Sequence, residues 1–199
     1  MAKTPATFDT SKLGILDPVN GKSGKMANVF YEGSGPVMWQ PGEMSVIYEP
    51  SAYGATEPTS RVDLVLRPTK NVLEQLEDLD KWAIEYVTKH SERLIGKRLN
   101  TAEVGMRYTS MLKDSGVCGR DPTLKCKMDL SGPNSVRLWD DDNDPRGTPE
   151  NWKGRVVNSQ LRLKTMWINN KNFGFTLEAL HLKALDRVEA EEVTCPFGA

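Results

Sequence analysis

The chain has 199 residues, a formal net charge of −1, 38% hydrophobic and 27% charged residues, a composition that excludes wholesale disorder. Its length suffices to bury a core without covalent staples. No run of eighteen apolar residues occurs and Met1-Ala2-Lys3-Thr4-Pro5 lacks the apolar stretch of a signal peptide, so no membrane partner and a cytoplasmic location are expected.

Residues 1–36 are rich in Gly, Pro, Ser, Thr and Lys with little periodicity. They read as an extended N-terminal arm holding one short strand at Asn28-Val29-Phe30-Tyr31. Pro41-Gly42 marks a turn, after which Met44, Val46 and Tyr48 alternate with Ser45 and Ile47 as in a half-buried strand. Residues 50–60 read as a loop. Val62, Leu64 and Leu66 alternate again until Pro68 stops the strand.

Asn71 and Glu74 have the spacing of a helix cap. Leu73, Leu76, Leu79, Ala83 and Val87 follow at helical steps, predicting an amphipathic helix that ends near Gly96. Asn100 with Glu103 opens a second, shorter helix, with Val104, Met106, Tyr108, Met111 and Leu112 on its apolar side and Gly116 at its end.

From Thr123 the period becomes two. Leu124, Cys126, Met128 and Leu130 share one side, and Lys125, Lys127 and Asp129 the other. Ser131-Gly132-Pro133-Asn134 turns the chain, after which Val136 and Leu138 point inward and Arg137 and Trp139 outward. A polar loop spans 140–152. Leu161, Leu163, Thr165 and Trp167 then alternate with Arg162, Lys164, Met166 and Ile168, which places Trp167 in the core. Asn169-Asn170-Lys171-Asn172 supplies hairpin chemistry through the tolerance of Asn for positive φ. Phe175, Leu177 and Ala179 return, and the Ala179-Leu180 pair predicts a bulge before Leu182 and Ala184.

The expected fold is therefore α+β: a small closed or nearly closed barrel of antiparallel strands with a two-helix insert at about 70–116, between the early and late strands. The domain would span 37–187, followed by a short acidic tail at 188–199.

Charge is local. Between positions 146 and 187, Arg146, Lys153, Arg155, Arg162, Lys164, Lys171, Lys183 and Arg187 outnumber Glu150, Glu178 and Asp186. Lys125, Lys127, Arg137, Trp139, Arg162 and Lys164 all fall on the side opposite the apolar stripe. Exposing an indole forgoes roughly 1.5 kcal/mol or more of burial. A single-strand nucleic-acid binder has a use for it, because aromatic rings stack on any base while cations track phosphates. Trp152, Lys153 and Arg155 repeat the theme before the next strand, and Lys171 and Phe173 stand at the hairpin tip. Trp39, Trp82 and Phe175 are expected in the core, and Phe173, beside the hairpin tip, suits either the core or a contact. A merely solvated face is the competing reading.

Enzyme motifs are weak. Gly21-Lys22-Ser23 resembles the end of a phosphate loop, but Leu16 stands where glycine is required. Asp140-Asp141-Asp142-Asn143-Asp144 resembles a calcium loop, but Pro145 replaces its glycine and Asn151 its glutamate. His90 and His181 have no nucleophile tied to them by spacing. Cys118, Cys126 and Cys195 form no C-x-x-C pair, so reduced thiols and no metal or other cofactor are expected. A metal-dependent nucleic-acid enzyme using the Asp140–Asp144 loop, and an assembly protein that self-associates through its helices, stay behind a non-catalytic binder.

The run Thr123-Leu124-Lys125-Cys126-Lys127-Met128, then Val136-Arg137-Leu138-Trp139-Asp140, then Leu161 to Ile168 leading to Phe173-Gly174-Phe175 resembles the OB-fold single-stranded DNA-binding proteins of tailed phages and large DNA viruses. The resemblance implies an OB-like barrel, protection of exposed strands in DNA replication or recombination, and host cytoplasm if the protein is viral. It allows a homo-oligomer. Glu189-Ala190-Glu191-Glu192 with Cys195-Pro196-Phe197 is similar to the acidic tips of bacterial single-strand binders, which implies contact with replication or recombination proteins. Gly198-Ala199 extend past that tip, and a frayed terminus is the alternative.

Overall fold

The computed structural model describes residues 9–21, 24–52, 59–114 and 121–188, with side chains to 185. A turn of 3-10 helix at Thr10–Lys12 leads into β1 (Leu13–Ile15), β2 (Val19–Gly21), β3 (Gly24–Tyr31), β4 (Val37–Val46) and β5 (Arg61–Arg67). Three helices follow, α1 (Lys70–Lys89), α2 (Ser91–Ile95) and α3 (Thr101–Arg107). The later strands are β6 (Tyr108–Thr109), β7 (Leu112–Lys113), β8 (Thr123–Asp129), β9 (Arg137–Trp139), β10 (Arg155–Ile168) and β11 (Phe173–Val188).

The two longest strands form the spine. β10 and β11 pair antiparallel from Ile168↔Phe173 to Arg155↔Val188, and β10 also pairs antiparallel with β3 and β4. From β4 the ladder passes to β5, then β8, then back to β11. The path is a partial ring. Its seams are short, with β4 meeting β5 at Ser45↔Arg67 and Val46↔Leu66, and β8 meeting β11 at Lys127↔Glu178 and Met128↔Ala179. The β8, β9 and β6 contacts with β11 are parallel, so the expected all-antiparallel arrangement does not hold along that edge.

Alternation explains most of the core. Leu124, Cys126 and Met128 are buried, as are Val62, Leu64 and Leu66, and Trp39 is fully sealed with its Nε1 donating to Gln75 Oε1 at 2.9 Å. Leu130, expected inward, is exposed because β8 ends at Asp129. Tyr48 is exposed for the same reason, β4 having ended at Val46. The Ala179-Leu180 bulge is present: Gln160 pairs with His181 and Leu161 with Ala179, leaving Leu180 out of register. The hairpin turn works differently from the expectation. Asn169 Oδ1 accepts from the amides of Lys171 and Asn172, an Asx-type turn without positive φ.

The helical segment carries three helices, where two were expected. The long helix is interrupted at His90, with φ −114° and ψ 19°, and the short α2 then ends at Gly96 in the left-handed region. Thr69 takes the N-cap position expected of Asn71, and Val72, Leu76, Leu79, Ala83 and Val87 form the buried stripe. The capping box of Asn100 and Glu103 is present in both directions, but α3 stops at Arg107, short of the expected end. Gly116 lies outside the described residues. α1 is tied down at several points: Tyr86 Oη accepts from the Ile15 amide, and Asp80 accepts from the hydroxyls of Tyr108 and Ser110.

Residues 13–31, expected as part of an arm with one strand, contribute three strands, and Leu13, Ile15, Ala27 and Val29 are buried. Periodicity was hidden there because β1 and β2 have three residues each, too short to repeat. Trp39 joins β4, β10 and α1, so Trp39→Ala should lower unfolding free energy by about 3–5 kcal/mol, measured by urea denaturation.

Candidate nucleic-acid interface

On the outward side of β5, β8, β11 and β10, five cations gather around three carboxylates. Glu178 of β11 is almost fully buried (4% exposed) and accepts from Arg162 at 2.6 Å and from Lys164 and Arg61 at 2.8 Å. Asp63 of β5, also buried, is paired with both Lys125 and Lys127 of β8. Arg61 reaches Asp129 as well. Register makes this cluster: Asp63 lies opposite Lys127, Lys127 opposite Glu178, and Glu178 opposite Arg162, a single row across four strands.

Burial opposes ionisation of Glu178, but the hydrogen bonds from Arg162, Lys164 and Arg61 outweigh it and hold its pKa down at about 2. Asp63 behaves alike, with burial overcome by Lys125 and Lys127 so that its pKa is lowered. The cations outnumber the acids, and the side chains of Lys125, Lys127 and Lys164 stay 37–41% exposed. The carboxylates therefore fix the cations without covering them. Asp63 and Glu178 have no place in a search for basic residues, yet Arg61 and Asp63 were visible as the outward partners of Val62 and Leu64.

A cavity of about 250 Å³ opens beside this row, between β11 and the β7–β8 edge, with Lys113, Lys125, Lys127 and Trp167 among its walls. Trp167 was expected in the core. The ladder slips between Leu163 and Thr165, which inverts the alternation. Met166 and Ile168 consequently take the buried positions, and Trp167 is half-buried on the side of Arg162 and Lys164. Its ring lies over Gly174, where a Cβ would sit 2.6 Å from the indole and 2.8 Å from the Thr109 carbonyl. Pattern reading alone had no signal for that slip.

On the other side of the row from Trp167, further along β11, β9 places Arg137 and Trp139 beside His181 and Lys183. Trp139 is half-buried, less open than expected, because its ring stacks on His181 at 5.9 Å and 21°. Trp139 Nε1 donates to His181 Nδ1 at 3.1 Å. Burial and then the Arg137 charge lower the His181 pKa, which suits the neutral imidazole this bond requires. Arg137 is exposed and has no ion pair among the described residues.

Several expected contacts do not join the row. Trp152 is 4% exposed and Phe173 1%, so both are core residues with no ring face open to a base. Phe173 packs against Tyr108 on the helix side of the sheet. Trp152 is sealed because its amide and that of Lys153 donate to Glu49 Oε1, drawing the loop inward. Arg155 donates to the carbonyls of Asn151 and Leu185, a structural use. Lys153 is exposed at the start of β10, and Lys171 is exposed at the hairpin tip. Burial pushes the Cys126 thiol up to about 12, leaving it unreactive. Cys118 and Cys195 lie outside the described residues, as does the acidic tail.

The Asp140 carboxylate accepts from the amides of Asp142 and Asp144, and Lys183 binds the Asp141 carbonyl and Asn143 Oδ1. These oxygens serve the loop itself. Among the described residues no group of three His, Cys, Asp or Glu side chains converges as a metal site requires.

The fold is similar to single-stranded DNA-binding proteins of two bacteriophages. The protein from bacteriophage Enc34, solved in complex with ssDNA, is 16% identical with a TM-score of 0.49, over 90% of this chain and 98% of that one. The bacteriophage T7 protein gp2.5 is 12% identical with a TM-score of 0.47, over 81% of this chain and 97% of that one. No protein-family model matches the chain, and no curated protein does.

The Glu178 cluster makes stability acid-sensitive. Its folded pKa lies below the ordinary 4.5, so the stabilisation is complete above about pH 5 and is lost as pH falls from 4.5 towards 2. The expected loss is on the order of 2–3 kcal/mol. Melting curves across that range should show a steep acid limb in the wild type and a shallower one in Glu178→Gln. Gly174→Ala should cost about 1–3 kcal/mol through the clash with the Trp167 ring and should shift its fluorescence.

Proposed function

We propose that the chain is a non-catalytic binder of single-stranded DNA with an OB-like site on the outward face of β8, β10 and β11. The observation that carries this reading is the row together with its flanks: a surplus of held cations across four strands, with an indole on either side along β11, Trp167 towards the hairpin and Trp139 towards its far end. Gly174, under Trp167, and Lys183, beside Trp139, are separated along β11 by a distance of roughly 30 Å at about 3.3 Å per residue. That suits a short stretch of unpaired strand, within the span of about 4–16 nucleotides typical of one such module.

The parts divide the work. Each half-buried indole offers an apolar plane to an unstacked base, a contact indifferent to sequence and worth about 1–3 kcal/mol. Lys125, Lys127, Lys164 and Arg137 neutralise phosphates, while Arg162, the least exposed of the five clustered cations, and Arg61, which bridges Glu178 and Asp129, keep the row in register. Because the lysines are already oriented by Asp63 and Glu178, little side-chain entropy remains to be lost when a phosphate arrives. Duplex DNA hides its base faces and gains only the electrostatic part. Protection of exposed strands in replication or recombination follows from such binding, with the replication or recombination proteins approached through the acidic tail.

Titration of labelled oligo-dT against the full chain at two salt concentrations checks the reading. Affinity should fall with salt by about 0.7 log units per log unit for each phosphate contacted. Trp167→Ala should weaken binding by about 1–3 kcal/mol with little change in that slope, whereas Lys127→Gln should reduce the slope. Salt-independent or undetectable binding by the wild type would rule the proposal out.

A further inference from the structure

A second concavity, of about 520 Å³, opens at the β10–β11 hairpin, a size in the range of ligand sites. Lys25 pairs with Ile168 across the β3–β10 ladder, and successive residues of β10 face opposite sides. The cleft therefore lies on the side of the sheet away from Trp167, beneath the ends of α2 and α3. Three cations converge on it from three elements: Lys25 from β3, Lys97 just after α2 and Arg107 from the last turn of α3.

These cations differ in kind from the five held around Asp63, Glu178 and Asp129. No acidic residue lines the cleft, and none of the three has an ion pair or side-chain hydrogen bond among the described residues. Helix C-termini favour a nearby cation, which accounts for Lys97 and Arg107 singly. It does not account for Lys25, which a strand brings to the same place. Gly24 makes that approach attainable. Its φ is +143°, and a Cβ there would stand 2.3 Å from the Ile168 carbonyl, so only glycine lets β3 start this close to the hairpin. Like charges brought together without a carboxylate repel one another, and an anion in the cleft relieves that repulsion.

We propose that this cleft binds the phosphodiester backbone of a single strand that has left the outward face and passed over the hairpin tip. The inference rests on the single-strand reading above and extends its footprint. Trp167 lies between the row and the hairpin, exposed Lys171 and Asn170 stand at the hairpin tip, and Asn170 also lines the cleft. The route from indole to cleft is thus polar or cationic throughout. The cleft engages phosphates and carries no base platform, so it adds affinity without adding sequence preference.

The test compares the full-length wild type with the Lys25→Gln/Lys97→Gln/Arg107→Gln variant by fluorescence anisotropy. Two oligo-dT probes are used, of about 6 and about 16 nucleotides, which bracket the span of one module. The expected result is unchanged affinity for the short probe and a loss of about tenfold or more for the long one. The salt slope for the long probe should fall by about 2, from three lost contacts at about 0.7 each. An unchanged long-probe affinity and slope, or an equal loss for both probes, overturns the cleft as an extension of the site. Should the triple variant melt early, Lys25→Gln/Lys97→Gln keeps the test, with a slope change of about 1.4 expected. A wild type that binds neither probe would remove the single-strand reading itself, and the cleft assignment with it.

Discussion

Glu178 is a buried carboxylate that collects cations from two strands, its partner β10 and β5 beyond β8, and the outward face is organised around it. Arg61 arrives from β5 and Arg162 and Lys164 from β10, all on one side chain of β11. A lone carboxylate in that position would be too poorly solvated to stay charged. The three donors keep it ionised, and its charge in return prevents the cations from repelling one another apart. Asp63 repeats the arrangement for Lys125 and Lys127 one strand further along. A basic surface that would otherwise resist compact folding becomes part of what holds the ring's short seams together.

The same economy governs the aromatics. The chain has five tryptophans, and the backbone decides which remain available. Trp39 and Trp152 are sealed, and Trp82 lies half-buried against Phe175 and Tyr86. Trp139 and Trp167 are half-buried on either side of the cationic row, along β11. Each is braced from one side, Trp139 by the His181 imidazole and Trp167 by the bare backbone of Gly174. A braced ring gives up little freedom on stacking, which is the property a base platform needs.

With a net charge of −1, the chain has no overall attraction for a polyanion, so the proposed affinity has to come from local arrangement. The structure separates its cations into two classes. The five of the outward row are held by Asp63 and Glu178, and those of the hairpin cleft, like Arg137 beside β11, are unpaired among the described residues. The first class sets position, and the second offers uncompensated charge. A strand that follows both surfaces wraps the β10–β11 hairpin, the longest and most extensively paired element of the fold.

The sequence by itself determined the class of fold, the buried side of β5 and β8, the α3 cap, the bulge at Leu180 and the outward placement of Lys125, Lys127, Arg137, Arg162 and Lys164. Those features follow from period, capping and turn chemistry, all local properties of consecutive residues. It missed β1 and β2, too short to show a period, misplaced Trp152 and Trp167, and left Phe173 open between core and contact. The tertiary structure alone decided these, because a one-residue slip after Leu163 inverts which side each later residue faces, and a glutamate over a hundred positions away draws Trp152 inward. It also decided that Asp63 and Glu178 belong to a basic surface, and that Lys25, Lys97 and Arg107 meet. Such convergence depends on strand register and helix placement, quantities that no single stretch of residues encodes.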